Sequence, residues 1–226
     1  MSEIRIVALV PMRHDSERVI GKNYRPLAGR PLFHHIVETL RACPELTEVV
    51  IDTDSDDIAE GARRAFPEVR ILIRPEDIRG GDVSMNTVLL HDVSQVSADL
   101  YLQTHCTNPL LRAETIRAAI REFIRSRDRY DSLFTVTPLQ KRLYSADGQP
   151  INHDPATLMR TQDLAPVMEE NSCLYLFEGE TLRQYGSRIG RRPLMYPIPP
   201  EEAWDIDEEI DWTIVEALLA AGQGAS

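Results

Sequence analysis

The residues best suited to chemistry fall in two clusters far apart in the chain. From Val10 to Arg30 stand Arg13, Arg18, Lys22, Arg25 and Arg30 against Asp15 and Glu17, a local balance of +3 in a chain of net charge −11. Such a loop suits a polyphosphate, because guanidinium and ammonium donors pair with phosphate oxygens and backbone N–H groups add to them. The plainer alternative is a solvated loop that binds nothing. Two familiar nucleotide loops are excluded. The Walker pattern needs glycine where Ser16 stands and Ser or Thr where Asn23 follows Lys22, and the dinucleotide glycine fingerprint is absent. The second cluster is EEAWDIDEEID, Glu201–Asp211, with seven acids and no base. Asp205 and Asp207 flank Ile206, so on an extended backbone both carboxylates point the same way. Paired carboxylates form a hard-cation site, and Mg²⁺ takes one or two of them together with substrate phosphates. The competing use of Asp207 is to cap a helix beginning at Glu208.

These side chains need a scaffold. Short apolar runs predict strands over Ile4–Val10, Thr47–Thr53, Val69–Ile73, Asp99–Gln103, Ser132–Thr137, Ser172–Phe177 and Pro193–Pro197. Helical patterning covers Pro31–Cys43, Ser55–Phe66, Met85–Gln95, Ala113–Arg127, Glu178–Tyr185 and Glu208–Ala221, with Ser55 as an N-cap ahead of Asp56 and Asp57. This alternation implies an α/β fold with a mostly parallel sheet covered on both faces. Ligands bind beyond the carboxyl ends of such strands, which puts the loops after Val10, Thr53, Ile73, Gln103 and Thr137 on one rim. The segment Pro138–Asn171 has no clean period, and connections this long are usually functional or reach a partner. The tail Gly222–Ser226 is expected to fray.

Length and composition bound the rest. With 226 residues and 42% hydrophobic content the chain suits a single domain with a real core. The acidic balance argues against a nucleic-acid binder. Cys43, Cys106 and Cys173 lack paired spacing, as expected of reduced thiols in a cytoplasmic enzyme. Neither a signal peptide nor a membrane span is expected.

The two clusters, with the blocks between them, resemble a known family. VPMRHDSERVIGKN with LAGRPL is similar to the signature loop of the sugar-acid cytidylyltransferases, the acylneuraminate (CMP-sialic acid) synthetases and the related CMP-Kdo synthetases. Arg13, Ser16 and Lys22-Asn23 match the sialic acid branch, whereas Ser16-x-Arg18-x-x-Gly21-Lys22 reads more like the Kdo branch. IRPEDIRGGDVSMNTVLLHDV, LQTHCTNPLLRAETI, RTQDLAPVMEENSCLYLF and AWDIDEEIDW resemble later blocks in the same order. Glu17 stands where the sialic acid enzymes carry lysine, Ser172-Cys173 replaces Gly-Ala, and the Kdo branch's aspartate has no counterpart in QTHCTNP.

The resemblance implies a three-layer, Rossmann-like nucleotide-diphospho-sugar transferase fold. One domain would span 1–226, with 138–171 as a dimerisation arm. It implies a cytidylyltransferase that transfers CMP from CTP to the anomeric hydroxyl of an acid sugar and releases pyrophosphate, with Mg²⁺ on Asp205 and Asp207. Arg13, Arg18 and Lys22 would hold the phosphates, with Ser16 and Asn23 donating neutral hydrogen bonds; Arg13 and Lys22, with the aspartates, form the catalytic set. Arg74 and Ser84 would contact the cytidine, although Arg74 also suits a loop salt bridge with Glu76 or Asp77. Gln103 would touch the sugar, its alternative being a strand-terminal side chain bonded to backbone. Arg160 and Gln162, with Lys141 and Arg142, would act across a homodimer interface. The partners are then CTP, an acid sugar and a second copy, with neither nucleic acid nor membrane. Rival readings are a CMP-Kdo-type synthetase, a metal-dependent glycosyltransferase of similar fold, and an inactive nucleotide-binding homologue.

Overall fold

In the computed structural model, residues 4–223 are described; the predicted frayed tail lies, from 224 on, outside them. The first strand, β1 (Ile6–Met12), is buried along its whole length. Its side chains divide by parity: Ile6, Ala8, Val10 and Met12 enter one apolar cluster, Val7 and Leu9 another. A strand buried on both faces needs apolar residues at every position, and IVALVPM supplies them.

Parallel pairing builds outward from β1 to β4 (Glu48–Thr53) and β5 (Arg70–Ile73) on one side and to β6 (Leu100–Thr104) on the other. Next to β6 lies β8 (Val167–Phe177), then β7 (Ser132–Leu139) and β9 (Pro193–Pro197), giving the order β5-β4-β1-β6-β8-β7-β9. β8 is antiparallel to both its neighbours, while β7 and β9 pair in parallel. The sheet is therefore mostly parallel with one reversed strand. A two-residue hairpin, β2 (Pro26–Leu27) with β3 (Arg30–Pro31), lies within the first loop and has no counterpart in the sequence reading.

Helices α1 (Leu32–Arg41), α2 (Asp56–Ala65) and α4 (Ala113–Ser126) pack on one face of the sheet through Phe33, Ile36, Ile58, Ile116 and Phe123. α3 (Met85–Gln95) and α5 (Gly179–Tyr185) cover the other through Leu89, Val93 and Leu182. The predicted cap is present: the Ser55 hydroxyl accepts from the Ile58 N–H. The three-layer α/β expectation holds.

One expectation changes. Pro138 and Leu139 continue β7, and Val167 to Asn171 begin β8, paired from Val136↔Glu170 to Leu139↔Val167. The irregular excursion is thus 140–166 at the tip of a long hairpin, not the whole of 138–171. At its base Met168, Glu169 and Glu170 are exposed one after another, which hides the strand period. Because β8 runs against the sheet, this hairpin leaves from and returns to the rim where β1, β4, β5 and β6 end.

A third, smaller apolar cluster joins the two ends of the chain. Val19, Leu27 and Leu32 pack on Ile206 and on Trp212 and Val215 of α6 (Glu209–Gln223). Ile206 is fully buried, and its N–H donates to the Thr107 carbonyl at 2.9 Å. Ile206→Ala should lower stability by about 2–4 kcal/mol, the usual cost of truncating a buried aliphatic. Urea denaturation measures this, and a loss below about 1 kcal/mol would show that the cluster does not hold the two segments together.

Candidate active site

The first loop is pinned before it can bind anything. Gly21 takes φ +65°, and its carbonyl accepts from the N–H groups of Tyr24 and Arg25. A side chain there would begin 3.0 Å from the Tyr24 ring, so the turn needs glycine both for its backbone and for its packing. Asn23 is buried, donates its amide to the Arg13 carbonyl at 2.7 Å and accepts from the Cys106 thiol at 3.0 Å. His14 anchors the other side, its backbone N–H on Asp54 and its ring on Ser55.

Opposite this loop lies the acidic segment. The Lys22 ammonium donates to the Ile206 carbonyl and stands 3.4 Å from Asp207, and Arg18 pairs with Asp207 at 2.7 Å. Burying Ile206 turns its two neighbours the other way, toward the cations. Asp207 does not cap α6. The N–H groups of Asp207 and Glu208 donate instead to Asp211, at 3.0 and 2.7 Å. The Asp207 carboxylate therefore stays available to the cleft.

Between the two segments opens a cleft of about 610 Å³, lined by Arg13, Ser16, Arg18, Lys22, Asn23, Arg74, Asp205 and Asp207. Eight of the predicted site residues are thus brought together. Asp205 has a buried carboxylate oxygen, Oδ1, with no hydrogen-bond partner. Burial pushes its pKa up, a hydrogen bond with Thr107 opposes this, and the charge of Asp207 adds to the rise. An unpaired buried carboxylate oxygen beside a second carboxylate fits a hard divalent cation, so the donor set suits Mg²⁺.

Other predicted residues are placed differently. Arg74 is buried and pairs with neither Glu76 nor Asp77; its Nε donates to Asp52 at 2.5 Å. Ser84 caps α3, accepting from Thr87 N–H at 3.2 Å, and stands off the cleft wall between Val83 and Met85, which line it. Gln103 is fully buried, with its oxygen taken by Arg188 at 2.5 Å and its amide on the Thr104 carbonyl. Its strand-terminal alternative thus describes the amide as it stands. Arg160 and Gln162 lie on the exposed arm, outside the cleft of a single copy, where Arg160 pairs with Asp163 at 2.7 Å.

Several residues on or beside this wall were given no role in the site from sequence. His105 lines the cleft beside Gln103; burial, then the nearby Arg188 and Lys22 cations, push its pKa down to about 3, so it stays neutral. Arg188 lies over the Tyr175 ring at 3.5 Å. Ser172 also lines the cleft and takes φ +58°, a left-handed backbone that costs a serine energy.

Residues 7–198 match the model of a family described as cytidylyltransferase. The chain belongs to the cytidylyltransferase family. It is 31% identical to CMP-N,N'-diacetyllegionaminic acid synthase of Legionella pneumophila, across 98% of this chain and 99% of that protein. It is 27% identical to N-acylneuraminate cytidylyltransferase A of Danio rerio over 93% of this chain but 50% of the fish protein, so it spans about half the length of that relative. Among solved structures, a CMP:2-keto-3-deoxy-manno-octonic acid synthetase complexed with CTP shares the fold, with TM-score 0.69 and 18% identity over 96% of this chain and 99% of that one.

Gly21 and Ser172, both left-handed, separate loop packing from strain. Gly21→Ala should destabilise by about 1–2 kcal/mol, the left-handed penalty, before any clash with Tyr24. Ser172→Gly should leave the denaturation midpoint unchanged or raised, since glycine removes strain but loosens the unfolded chain. A drop of more than about 1 kcal/mol in Ser172→Gly would refute strain at that position.

Proposed function

We propose that this cytidylyltransferase moves CMP from CTP to the anomeric hydroxyl of a sialic or related nonulosonic acid, releasing pyrophosphate. The observation that carries the reading is the meeting of Lys22 and Arg18 with Asp207 across one cleft. A cationic loop facing a carboxylate pair is what a magnesium nucleotide requires. The name of the full-length Legionella relative supports the choice of a nonulosonic acid.

In the transfer, the anomeric oxygen bonds to the α-phosphorus, the bond to the β-phosphate oxygen breaks, and the hydroxyl proton is released. The difficulty is electrostatic, since a nucleophile must approach a polyanion and charge builds on the leaving group. Arg13, Arg18 and Lys22 would bind the departing phosphates, and Ser16 would add a neutral donor. Asn23, already committed to the Arg13 carbonyl, would act chiefly by holding the loop in shape. Mg²⁺, held by Asp205 and Asp207, would polarise phosphoryl oxygens and orient the two reactants. Arg74 would face the nucleoside. For Gln103 to contact the sugar, its oxygen must be released by Arg188 or its amide by Thr104. Neutral His105 would serve as a hydrogen-bonding wall.

Arg160 and Gln162 would join a site only across a homodimer. The arm carries apolar side chains in water, Leu158 at 88% exposure and Ile151 at 57%, as an interface awaiting a second copy does. No helix among the described residues is long and apolar enough to cross a membrane. The three cysteines are buried and unbridged, which fits a cytoplasmic setting.

Pyrophosphate release from CTP and Mg²⁺ with a panel of acid sugars tests the whole reading. Turnover on nonulosonic acids supports it. Turnover on the eight-carbon Kdo alone would move the chain to the other branch, and CTP binding without turnover on any sugar would make it an inactive homologue. Asp207→Ala should cut turnover by more than about 100-fold, beyond what outer-shell changes at metal sites cost. Its fold should survive, because Asp207 and Arg18 are well exposed and Lys22, the buried partner, keeps its bond to the Ile206 carbonyl. Near-normal turnover in that variant would remove the metal assignment. Replacing residues 141–165 with a tight turn should give a monomer of low activity; a fully active monomer would show that each copy completes its own site.

A further inference from the structure

Behind the cleft, Arg74 sits in a buried charged group whose two carboxylates have no part in the reaction as proposed. Asp52 on β4, Arg74 after β5 and Asp92 on α3 are all at least 98% buried. One oxygen each of Asp52 and Asp92 and one ring nitrogen of His91 lie within 4.8 Å of one another. Arg74 occupies Asp52 Oδ1, and its own carbonyl accepts from Arg79 at 2.8 Å. Asp52 Oδ2 and both oxygens of Asp92 have no hydrogen-bond partner. Two carboxylates facing one guanidinium at this depth leave a net negative charge with no solvent to spread it, and leaving such a charge buried is costly. A single proton between them removes the charge and supplies the missing hydrogen bond.

We propose that Asp52 and Asp92 share one proton, and that this bridged pair holds Arg74 against the nucleotide cleft. Asp92 is then a positioning residue that acts through Asp52. The arrangement favours a proton over a metal, because the Arg74 cation already sits on Asp52 and would repel a second positive charge. Burial, then the negative charge of Asp52, push the Asp92 carboxyl up to about 8; Arg74 works in the opposite direction. Burial also raises Asp52, against the pull of Arg74. The charged and titratable groups facing the pair are Arg74 and His91. Because the folded-state value of Asp92 lies above that of an unfolded aspartate, its contribution to stability is full below about pH 4. That contribution is lost as the pH rises toward the folded value.

The proposal rests on the cytidylyltransferase reading only in naming CTP as the probe. CTP affinity of the intact protein is measured by calorimetry from pH 7 to pH 9, together with the infrared band of a protonated carboxyl group. The wild type should show the band at pH 7 and lose it at pH 9, with CTP binding about ten-fold weaker once only a tenth of the molecules keep the proton. Asp92→Asn keeps a neutral donor and should bind CTP within about two-fold of wild type at pH 7. It should lack both the band and the alkaline loss. Asp52→Asn strips Arg74 of its counter-ion and should weaken binding about ten-fold or more. The same alkaline loss in Asp92→Asn, or no protonated carboxyl in the wild type at pH 7, would overturn the proposal. So would stoichiometric binding of Mn²⁺ or Zn²⁺ abolished by His91→Ala and Asp92→Asn. Failure of every variant and the wild type to bind CTP would count against the cytidylyltransferase reading instead, and the band would still decide the proton.

Discussion

Everything functional in this chain depends on burying Ile206. The residue lies between two aspartates on an extended stretch and is driven into a small apolar pocket made by Val19, Leu27, Leu32, Trp212 and Val215. Water expulsion supplies the force, and backbone alternation converts it into direction, since sending Ile206 inward aims Asp205 and Asp207 outward. The cations of the first loop meet them because the same pocket is built from that loop. Packing thus sets an electrostatic geometry that charges alone would not hold: Arg18, Asp207 and Glu208 are all well solvated, and exposed pairs contribute little to stability.

The sheet provides the second constraint. Parallel strands β1, β4, β5 and β6 deliver their loops to one rim, the usual place for ligands in such folds. The reversed strand β8 brings Ser172 to that rim from the opposite direction, with its backbone in a left-handed turn. Arg188 stacks on the Tyr175 ring behind it and donates to Gln103. The Ser172 side of the cleft is therefore assembled from strand ends that point in opposite senses, whereas the Lys22 side comes from one loop and the segment before α6.

Much of this was legible in the residues. The β-α alternation implied a sheet covered on both faces, Ser55 marked a helix start, and Asp-Ile-Asp announced two carboxylates pointing the same way, though not the burial of Ile206 between them. The direction of β8 was not, because side-chain alternation is the same whichever way a strand runs. The base of the arm hairpin was missed for a related reason: Met168, Glu169 and Glu170 are all exposed and give no period of two. Arg74 seemed to have acidic neighbours at hand in Glu76 and Asp77, yet its partner is 22 residues back on an adjacent strand. Asp92 was given no role from sequence; only the packing of α3 on the sheet shows that it faces inward.

The pocket around Ile206 also bears on how the molecule comes into being. Val19, Leu27 and Leu32 are made long before the residues that cover them. Until Ile206, Trp212 and Val215 arrive, the growing polypeptide carries an uncovered greasy spot beside a loop of positive charge, the kind of transiently bare surface that invites association. The cleft is in this sense completed only once Ile206 and α6 have been made and dock.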